Sequence, residues 1–467
     1  DNYGIFIDNV KLFRNSLVLD EDAPEQTVNL SGITAGGGET QPLKVTASST
    51  SAWSLAESTF AEVGDRPFFT EAGDFDGDGN MDTATVNYAE DTVTIMLGNG
   101  TGALALVGTF PTGKNPTHLA IGDFNTDGKQ DLAIANRNEP SIANADTISV
   151  LLGDGTGAFN QGVTLPVGEA PEYVVASDFN KDGKQDLAVA NGGANTVSLL
   201  LGDGAGNFTA SNEFSVGDAP HELVAGDFSG DGNNDLVVVN RADHNVSVLL
   251  GDGTGGFGDA TNFAANNDPT AVVTYDFNDD DHLDLIVGNS DGVSVLLGNG
   301  TGSFSAPNQF FGGSITAVEI ADLDHDGKVD LMTANHNAGE NSISVLLGNG
   351  NGTFQPPTSF DVGIKPRSVT ATDLNADGYY DLVVSNQDSD NLSILMSKPP
   401  LLTDIVVTYT SANLTGSLAF TPLADQSDTS TITVTVEDGG LDNDLTTTAD
   451  NATTSRTFDV TVNPVND

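Results

Sequence analysis

A nine-residue acidic loop of the form Asp-x-[Asp/Asn/Ser]-x-Asp-[Gly/Asp]-x-x-Asp recurs seven times in this chain, at 74–82, 123–131, 178–186, 227–235, 276–284, 322–330 and 373–381. Successive first aspartates stand 46 to 55 residues apart, the mark of a structural repeat and not of composition. A unit of that length holds four short strands and their turns. The chain is therefore constrained to an array of like β units, each the size of one propeller blade.

The remainder of each repeat supports this reading. An apolar strand precedes the loop (HLAI at 118–121, ELVA at 222–225) and a second follows it (DLAIA at 131–135, DLVVV at 235–239). A third ends in a glycine turn, as in TISVLLGDGTG at 147–157 and NVSVLLGDGTG at 245–255, and a fourth is expected to begin at Phe159, Phe208, Phe257, Phe304 and Phe354. Four strands separated by turn chemistry and repeated seven times predict an all-β, seven-bladed β-propeller with four-stranded blades. No helical period interrupts them.

The loop chemistry points to calcium, a hard cation that takes six to eight oxygen ligands at about 2.3–2.6 Å. Positions one, three, five and nine offer side-chain oxygens and position seven a backbone carbonyl. In chain order the candidate ligands are Asp74, Asp76, Asp78, Asn80 and Asp82; Asp123, Asn125, Asp127, Lys129 and Asp131; Asp178, Asn180, Asp182, Lys184 and Asp186; Asp227, Ser229, Asp231, Asn233 and Asp235; Asp276, Asn278, Asp280, His282 and Asp284; Asp322, Asp324, Asp326, Lys328 and Asp330; and Asp373, Asn375, Asp377, Tyr379 and Asp381. About seven Ca²⁺ ions are expected. The spacing is that of the first half of an EF-hand, but the closing acid comes at position nine instead of twelve. A β-type residue then follows, so the site is a strand-loop-strand version. Glycine at position six allows a sharp turn at positive φ. The fifth loop has Asp281 there and is expected to be the weakest or most distorted.

These motifs resemble the FG-GAP/VCBS repeats, known from the integrin α-subunit propeller and many secreted bacterial proteins; the resemblance covers about residues 53–397. It implies a calcium-stabilised architecture with the loop between the first and second strands of each blade. It leaves the ligand open, because the fold hosts adhesion receptors, lectins and some polysaccharide-degrading enzymes.

The seventh repeat lacks the glycine turn and the Phe strand: after NLSILMS at 391–397 comes Lys398-Pro399-Pro400. The segment 53–63 before the first repeat is the expected replacement, closing the circle and removing exposed sheet edges. The expected domains are 1–16, a terminal strand of a preceding β domain with its linker; 17–50, the first part of a small β-sandwich; 51–398, the propeller; and 399–467, the second part of the sandwich. The flanks are Thr-rich and alternating. Together they reach the size of an immunoglobulin-like domain, and they resemble the cadherin-like modules of bacterial surface proteins. That resemblance makes Glu21, Asp22 and Asp467 candidate linker calcium ligands. The chain reads as a piece of a longer multidomain protein.

The chain has no cysteine, so calcium and not disulfide bonding is expected to staple the fold. No apolar run is long enough to span a membrane. The formal charge of −52, with only 15 Lys and Arg, excludes nucleic acid as a partner, because phosphate binding needs basic clusters. The six histidines form no ligand spacing, and no nucleophile or phosphate motif stands out. The expected function is a non-enzymatic, extracellular, secreted or cell-surface adhesion or structural module, because millimolar calcium is found outside cells. The alternatives are a lectin-like propeller and, more distantly, a polysaccharide lyase or hydrolase. Its partner would be a glycan or a cell-surface or matrix protein. Calcium loops and glycine turns should share one face of the ring. Binding is expected on the other, among variable loops carrying Arg66, Phe68, His118, Arg137, Tyr173, His221, Arg241, His244, His336, Lys365 and Arg367. Arg137, Tyr173, His221, Arg241 and Arg367 are the candidate ligand contacts.

Overall fold

The computed structural model describes residues 16–20, 23–31, 43–49, 53–137, 146–335, 341–408, 410, 415–423, 428–438 and 453–463. The proposed linker ligands Glu21, Asp22 and Asp467, the strand expected before residue 16, and His336 lie outside them. Every regular element among the described residues is a strand, and none is a helix. The chain divides into two units, 55–397 and a second built from 1–54 with 398–467.

Residues 55–397 form seven four-stranded antiparallel sheets. In the first six, the strands follow chain order, as in Pro116–Gly122, Asp131–Asn136, Thr147–Gly153 and Phe159–Pro166. The second strand of every sheet is buried along its whole length. This explains why its sequence is a continuous apolar run and not an alternating one: it is covered on both faces. The fourth strand is largely exposed and reads as polar, as in FTASNEFS at Phe208–Ser215.

Burial comes from stacking sheet on sheet. Leu119, Leu132 and Leu151 of the second sheet share a core with Val86 and Ile95 of the first. Equivalent cores join the neighbouring pairs from the second sheet to the sixth, and Met96 of the first sheet shares one with Leu374, Val383 and Leu392 of the seventh. The first strands likewise touch in cyclic order, the last returning to the first. Edge-to-face Phe pairs repeat at these junctions, including Phe75 with Phe159, Phe124 with Phe208 and Phe179 with Phe257, at centroid distances of 5.5–5.6 Å.

The ring closes as the sequence leads one to expect. Thr59–Glu62 is the outer strand of the seventh sheet, pairing Ala61 with Leu392 and Phe60 with Ser393. Thr370 Oγ1 donates to the Thr70 carbonyl at 2.7 Å, and Thr70 N donates to Ser368 Oγ at 3.1 Å, tying the seventh sheet to the first.

Two details differ from expectation. Phe257, Phe304 and Phe354 make only isolated bridges to Gly251, Gly298 and Gly348, and the fourth strands there begin later, at Thr261, Asn308 and Thr358. In two of these cases proline follows, Pro307 and Pro356, and a residue without an amide hydrogen interrupts the ladder. Pro67, Pro116, Pro171, Pro220 and Pro366, each seven residues before a first aspartate where the sequence suggests a connection between sheets, instead open the first strand. Each is followed by a register shift, as suits a residue tolerated only at a strand start or bulge.

The second unit contains one sheet of Ser16–Asp20, Thr453–Asn463, Asp428–Asp438 and Leu43–Ser49, and another of Gln26–Ser31, Thr415–Pro422 and Leu402–Thr408. Leu30, Leu418 and Phe420 of one share a core with Ile432, Val434 and Val460 of the other. Strands from both ends of the chain are thus needed for this core. Ser16–Asp20, which the sequence does not single out as a strand, pairs parallel with Thr453–Asn463.

Candidate functional site

Each acidic loop joins the first and second strands of its sheet. The chain turns in it through two left-handed residues. Position six is positive in φ in all seven, from 66° at Asp281 to 89° at Gly79, and so is position four, which is glycine only at Gly77 and Gly230 and elsewhere Thr126, Lys181, Asp279, His325 or Ala376. The second of these turns was not legible from glycine placement. The fifth loop, expected to be distorted, keeps the common backbone path: Asp281 N donates to Asp276 Oδ2 at 2.7 Å, as Gly128 N does to Asp123 Oδ2 at 2.9 Å.

The loops are folded around their own carboxylates. The first aspartate accepts amides from positions four to six, as in Gly77 N to Asp74 Oδ1 at 2.7 Å and Gly79 N to Asp74 Oδ2 at 3.1 Å. The fifth accepts the amide of position seven, as in Asn80 N to Asp78 Oδ1 at 2.8 Å. The ninth is buried and accepts two amides, one per oxygen. Phe75 N and Gly98 N reach Asp82 at 2.7 and 2.8 Å, and the pattern recurs through Leu374 N and Ser397 N on Asp381 at 3.0 and 2.7 Å. Burial, reinforced by the other loop acids, pushes the Asp82, Asp284, Asp330 and Asp381 carboxyls up to about 6.

The loops differ in how many carboxylates they gather. In the first and sixth, oxygens of Asp74, Asp76 and Asp82, and of Asp322, Asp324 and Asp330, lie within 4.8 Å of one another. Ligands held at about 2.3–2.6 Å from one Ca²⁺ are at most about 5 Å apart, so these donor sets fit the ion. Each of the other five loops has a neutral Asn or Ser at position three. Position seven turns its side chain to the fifth aspartate: Asn80 and Asn233 donate to Asp78 and Asp231 at 2.8 and 2.9 Å, and Lys184 reaches Asp182 at 3.4 Å. Its backbone carbonyl remains the expected ligand. The glycine turns lie on the same face, since a Cβ on Gly100 would meet Asn80 Oδ1 at 2.5 Å. They also bind the neighbouring loop: Gly157 N donates to Phe75 O, Gly206 N to Phe124 O and Gly102 N to Leu374 O, at 2.9–3.1 Å.

A second recurring pin at the other end of each sheet escaped the sequence reading. A buried asparagine closes every second strand, and its amide donates to a hydroxyl on the third: Asn87 to Thr94, Asn191 to Ser198, Asn240 to Ser247 and Asn386 to Ser393, at 2.7–2.9 Å. The signal was present as an Asn five residues after each ninth aspartate.

The candidate ligand residues are corrected in position. Tyr173, His221 and Arg367 were expected in variable loops, but they lie on first strands and line an internal cavity of about 150 Å³ walled by the first strands of all seven sheets. A further space of about 250 Å³ shares His221, Thr316 and Arg367 with it and opens toward Arg241 and Asp268. In six of the seven sheets the wall begins six residues before the acidic loop, so this mouth lies at the strand ends remote from the loops. Arg137 pairs with Glu172, and Arg241 holds Asp268 through Nε at 2.6 Å and Nη2 at 3.1 Å. Arg367 lies over the Phe68 ring, 3.9 Å from its centroid.

Four carboxyls missed by the sequence reading line the cavity: Glu172, which pairs with Arg137, and Glu71, Glu222 and Glu319. Burial pushes Glu71 up to about 7 and Glu222 and Glu319 up to about 8, with mutual repulsion adding to Glu222 and Glu319. Their sequence signal is a break in the repeat. Glu71 and Glu319 stand three residues before a loop, where the other copies have Ala120, Val175, Val224, Val273 and Thr370.

A ring of four-stranded sheets, each joined by an acidic loop between its first two strands, defines a β-propeller of acidic-loop repeats. The FG-GAP-like repeat model matches at 74–134, 127–189, 178–238, 227–287, 276–333 and 322–384, well over half of the chain. The chain belongs to that family. No curated protein matches it significantly. Among solved structures, BBS1N crystallised in complex with ARL6DN covers 74% of this chain and 96% of its own at 14% identity and a TM-score of 0.53. A Lactobacillus plantarum protein covers 73% and 97% at 17% identity and 0.49, and an Agrocybe aegerita lectin recognising non-reducing terminal N-acetylglucosamine covers 74% and 94% at 20% identity and 0.44. Only the first exceeds 0.5, and at such identity it shows the fold alone.

Proposed function

We propose that residues 51–398 are a calcium-loaded, seven-bladed propeller acting as a non-enzymatic extracellular adhesion or structural module, carried beside a cadherin-like sandwich made from 17–50 and 399–467. The observation that carries the calcium reading is the convergence of Asp74, Asp76 and Asp82, and of Asp322, Asp324 and Asp330, in loops whose backbone path is common to all seven repeats. When bound, calcium would neutralise the loop carboxylates and lock the first-to-second strand turns. The chain's own amides already hold those carboxylates in place. A binding role is supported by the engagement of the loop acids in backbone hydrogen bonds, which leaves them poorly placed as acid-base pairs.

The partner, a glycan or a surface or matrix protein, docks on the face remote from the calcium loops, around the mouth bearing Arg137, Arg241, His221 and Arg367. The carboxyl and aromatic lining of the cavity beneath favours the lectin-like version of this reading. A glycan array probed with and without calcium tests it, together with the Arg137→Ala, Arg241→Ala, Arg367→Ala triple variant. Selective, calcium-dependent binding lost in the variant is the expected result. Product release would replace it with an enzyme. Binding mapped to the calcium-loop face would overturn the docking assignment.

A further inference from the structure

The axial cavity contains acids and a cation that the chain itself leaves without counter-charges, and a histidine donor that it leaves without a hydrogen-bond partner. Glu71, Glu222 and Glu319 face it from three different sheets, and among the described residues none of them forms an ion pair with a Lys or Arg. Glu222 hydrogen-bonds Tyr173 and accepts from Val272 N at 3.3 Å, and Glu319 accepts from Ile320 N at 3.1 Å, but none of these partners brings a positive charge. Buried carboxyls are ordinarily paired, hydrogen-bonded or protonated. Their oxygens are not among the sets that come within 4.8 Å of one another, so no single bare ion is chelated by all three.

Donors are also unmatched. His118 is 5% exposed and lines the same space. Its Nδ1 accepts from Val174 N at 3.5 Å, which leaves the proton on Nε2, and that nitrogen is buried without a partner. The ring is held against Phe69 and Tyr173, with centroids 3.9 and 3.4 Å away. Arg367, at the mouth, has no carboxylate within ion-pair reach among the described residues and stays cationic at neutral pH.

We propose that this cavity binds a small amino carboxylate, its ammonium held among Glu71, Glu222 and Glu319 and its carboxylate met by Arg367 and the Nε2–H of His118. A simple cation would leave the arginine and histidine donors unmatched and is not chelated by all three carboxyls. A simple anion would do the reverse and would meet the buried acids. A ligand carrying both charges is complementary to both ends, and charge-assisted hydrogen bonds of this kind are the strong ones. The site shares Arg367 with the rim proposed to dock a glycan or protein, while Glu71, Glu222, Glu319 and His118 lie in the cavity beneath it.

The test is calorimetric titration of the calcium-saturated full chain with a series from β-alanine to 6-aminohexanoate, against the n-alkylamine and the alkyl carboxylate of matched length. One chain length should bind at least tenfold more tightly than either matched half. The Glu71→Gln, Glu222→Gln, Glu319→Gln triple variant and Arg367→Gln should each lose at least tenfold while keeping wild-type circular dichroism and calcium content. Should the triple variant fail to fold, Glu319→Gln alone, combined with Arg367→Gln, carries the same comparison. Absence of binding by every member at millimolar concentration, equal binding of a matched amine or acid, or indifference to both substitutions would overturn the proposal. Because the readout is a small molecule and not the array, its failure is distinguishable from failure of rim binding.

Discussion

Asp186 and its six counterparts act as sheet pins as well as candidate metal ligands, each carboxylate spanning an amide in its own loop and one at the end of the third strand, Phe179 and Gly202 in this case. Removing the carboxylate leaves two buried donors unsatisfied, at about 1–3 kcal/mol each. Asp186→Ala should therefore destabilise the protein by about 2–6 kcal/mol in denaturant titration, even in excess chelator; a loss confined to calcium-loaded protein would reduce the residue to a ligand. At Asp281 the sign reverses. A left-handed non-glycine residue costs about 1–2 kcal/mol, less for Asp than for most, so Asp281→Gly should raise stability by up to about 1 kcal/mol. No gain in melting temperature would mean that the side chain compensates. The cavity glutamates give a pH signature. With folded values near 7 to 8 against 4.5 unfolded, the native state binds more protons between those limits, and stability falls as pH rises through that window. The groups facing them, Tyr173, His118, His221, Glu172 and Arg367, are unchanged in the comparison that isolates the effect. In saturating calcium, wild type should lose melting temperature from pH 5 to pH 8 relative to the Glu71→Gln, Glu222→Gln, Glu319→Gln variant; parallel curves would refute it.

Among the elements, the strand Thr59–Glu62 does what no local propensity could announce. It is short and mostly exposed, with Phe60 56% accessible, and it belongs to a sheet whose other strands lie some three hundred residues later. It was legible only because the seventh repeat visibly lacks a fourth strand. Deleting residues 51–64 should lower the melting temperature of the whole ring and expose the Asn391–Leu395 edge to pairing between molecules; an unchanged melting curve with a monomeric product would remove the closure from the account. The second strands were equally legible, because covering on both faces writes an unbroken apolar run. The fourth strands were not: Phe257, Phe304 and Phe354 mark edge-to-face packing on Phe179, Phe228 and Phe277, a contact made whether or not a strand begins there.

For the molecule as a whole, electrostatics and connectivity set the behaviour. The formal charge is −52, and seven divalent ions would leave most of it in place. The calcium-free loops concentrate three or four acids each at the ligand positions, so chelation should lower the melting temperature by well over 10 °C, with about seven ions recovered per chain by elemental analysis; an unaltered transition and no bound metal would defeat the calcium reading. From its sequence alone the chain determined the repeat, the loop chemistry, the four-strand unit and the need for closure, because turn residues and apolar runs act over a few positions and recur in register. Only the tertiary structure decided what the ring encloses. Seven first strands brought together on one axis turn single departures from the repeat, Glu71, His118, Glu222, Glu319 and Arg367, into neighbours in one cavity. Nothing local distinguishes such a residue from a solvated side chain, since its burial and its partners are supplied by strands from other repeats.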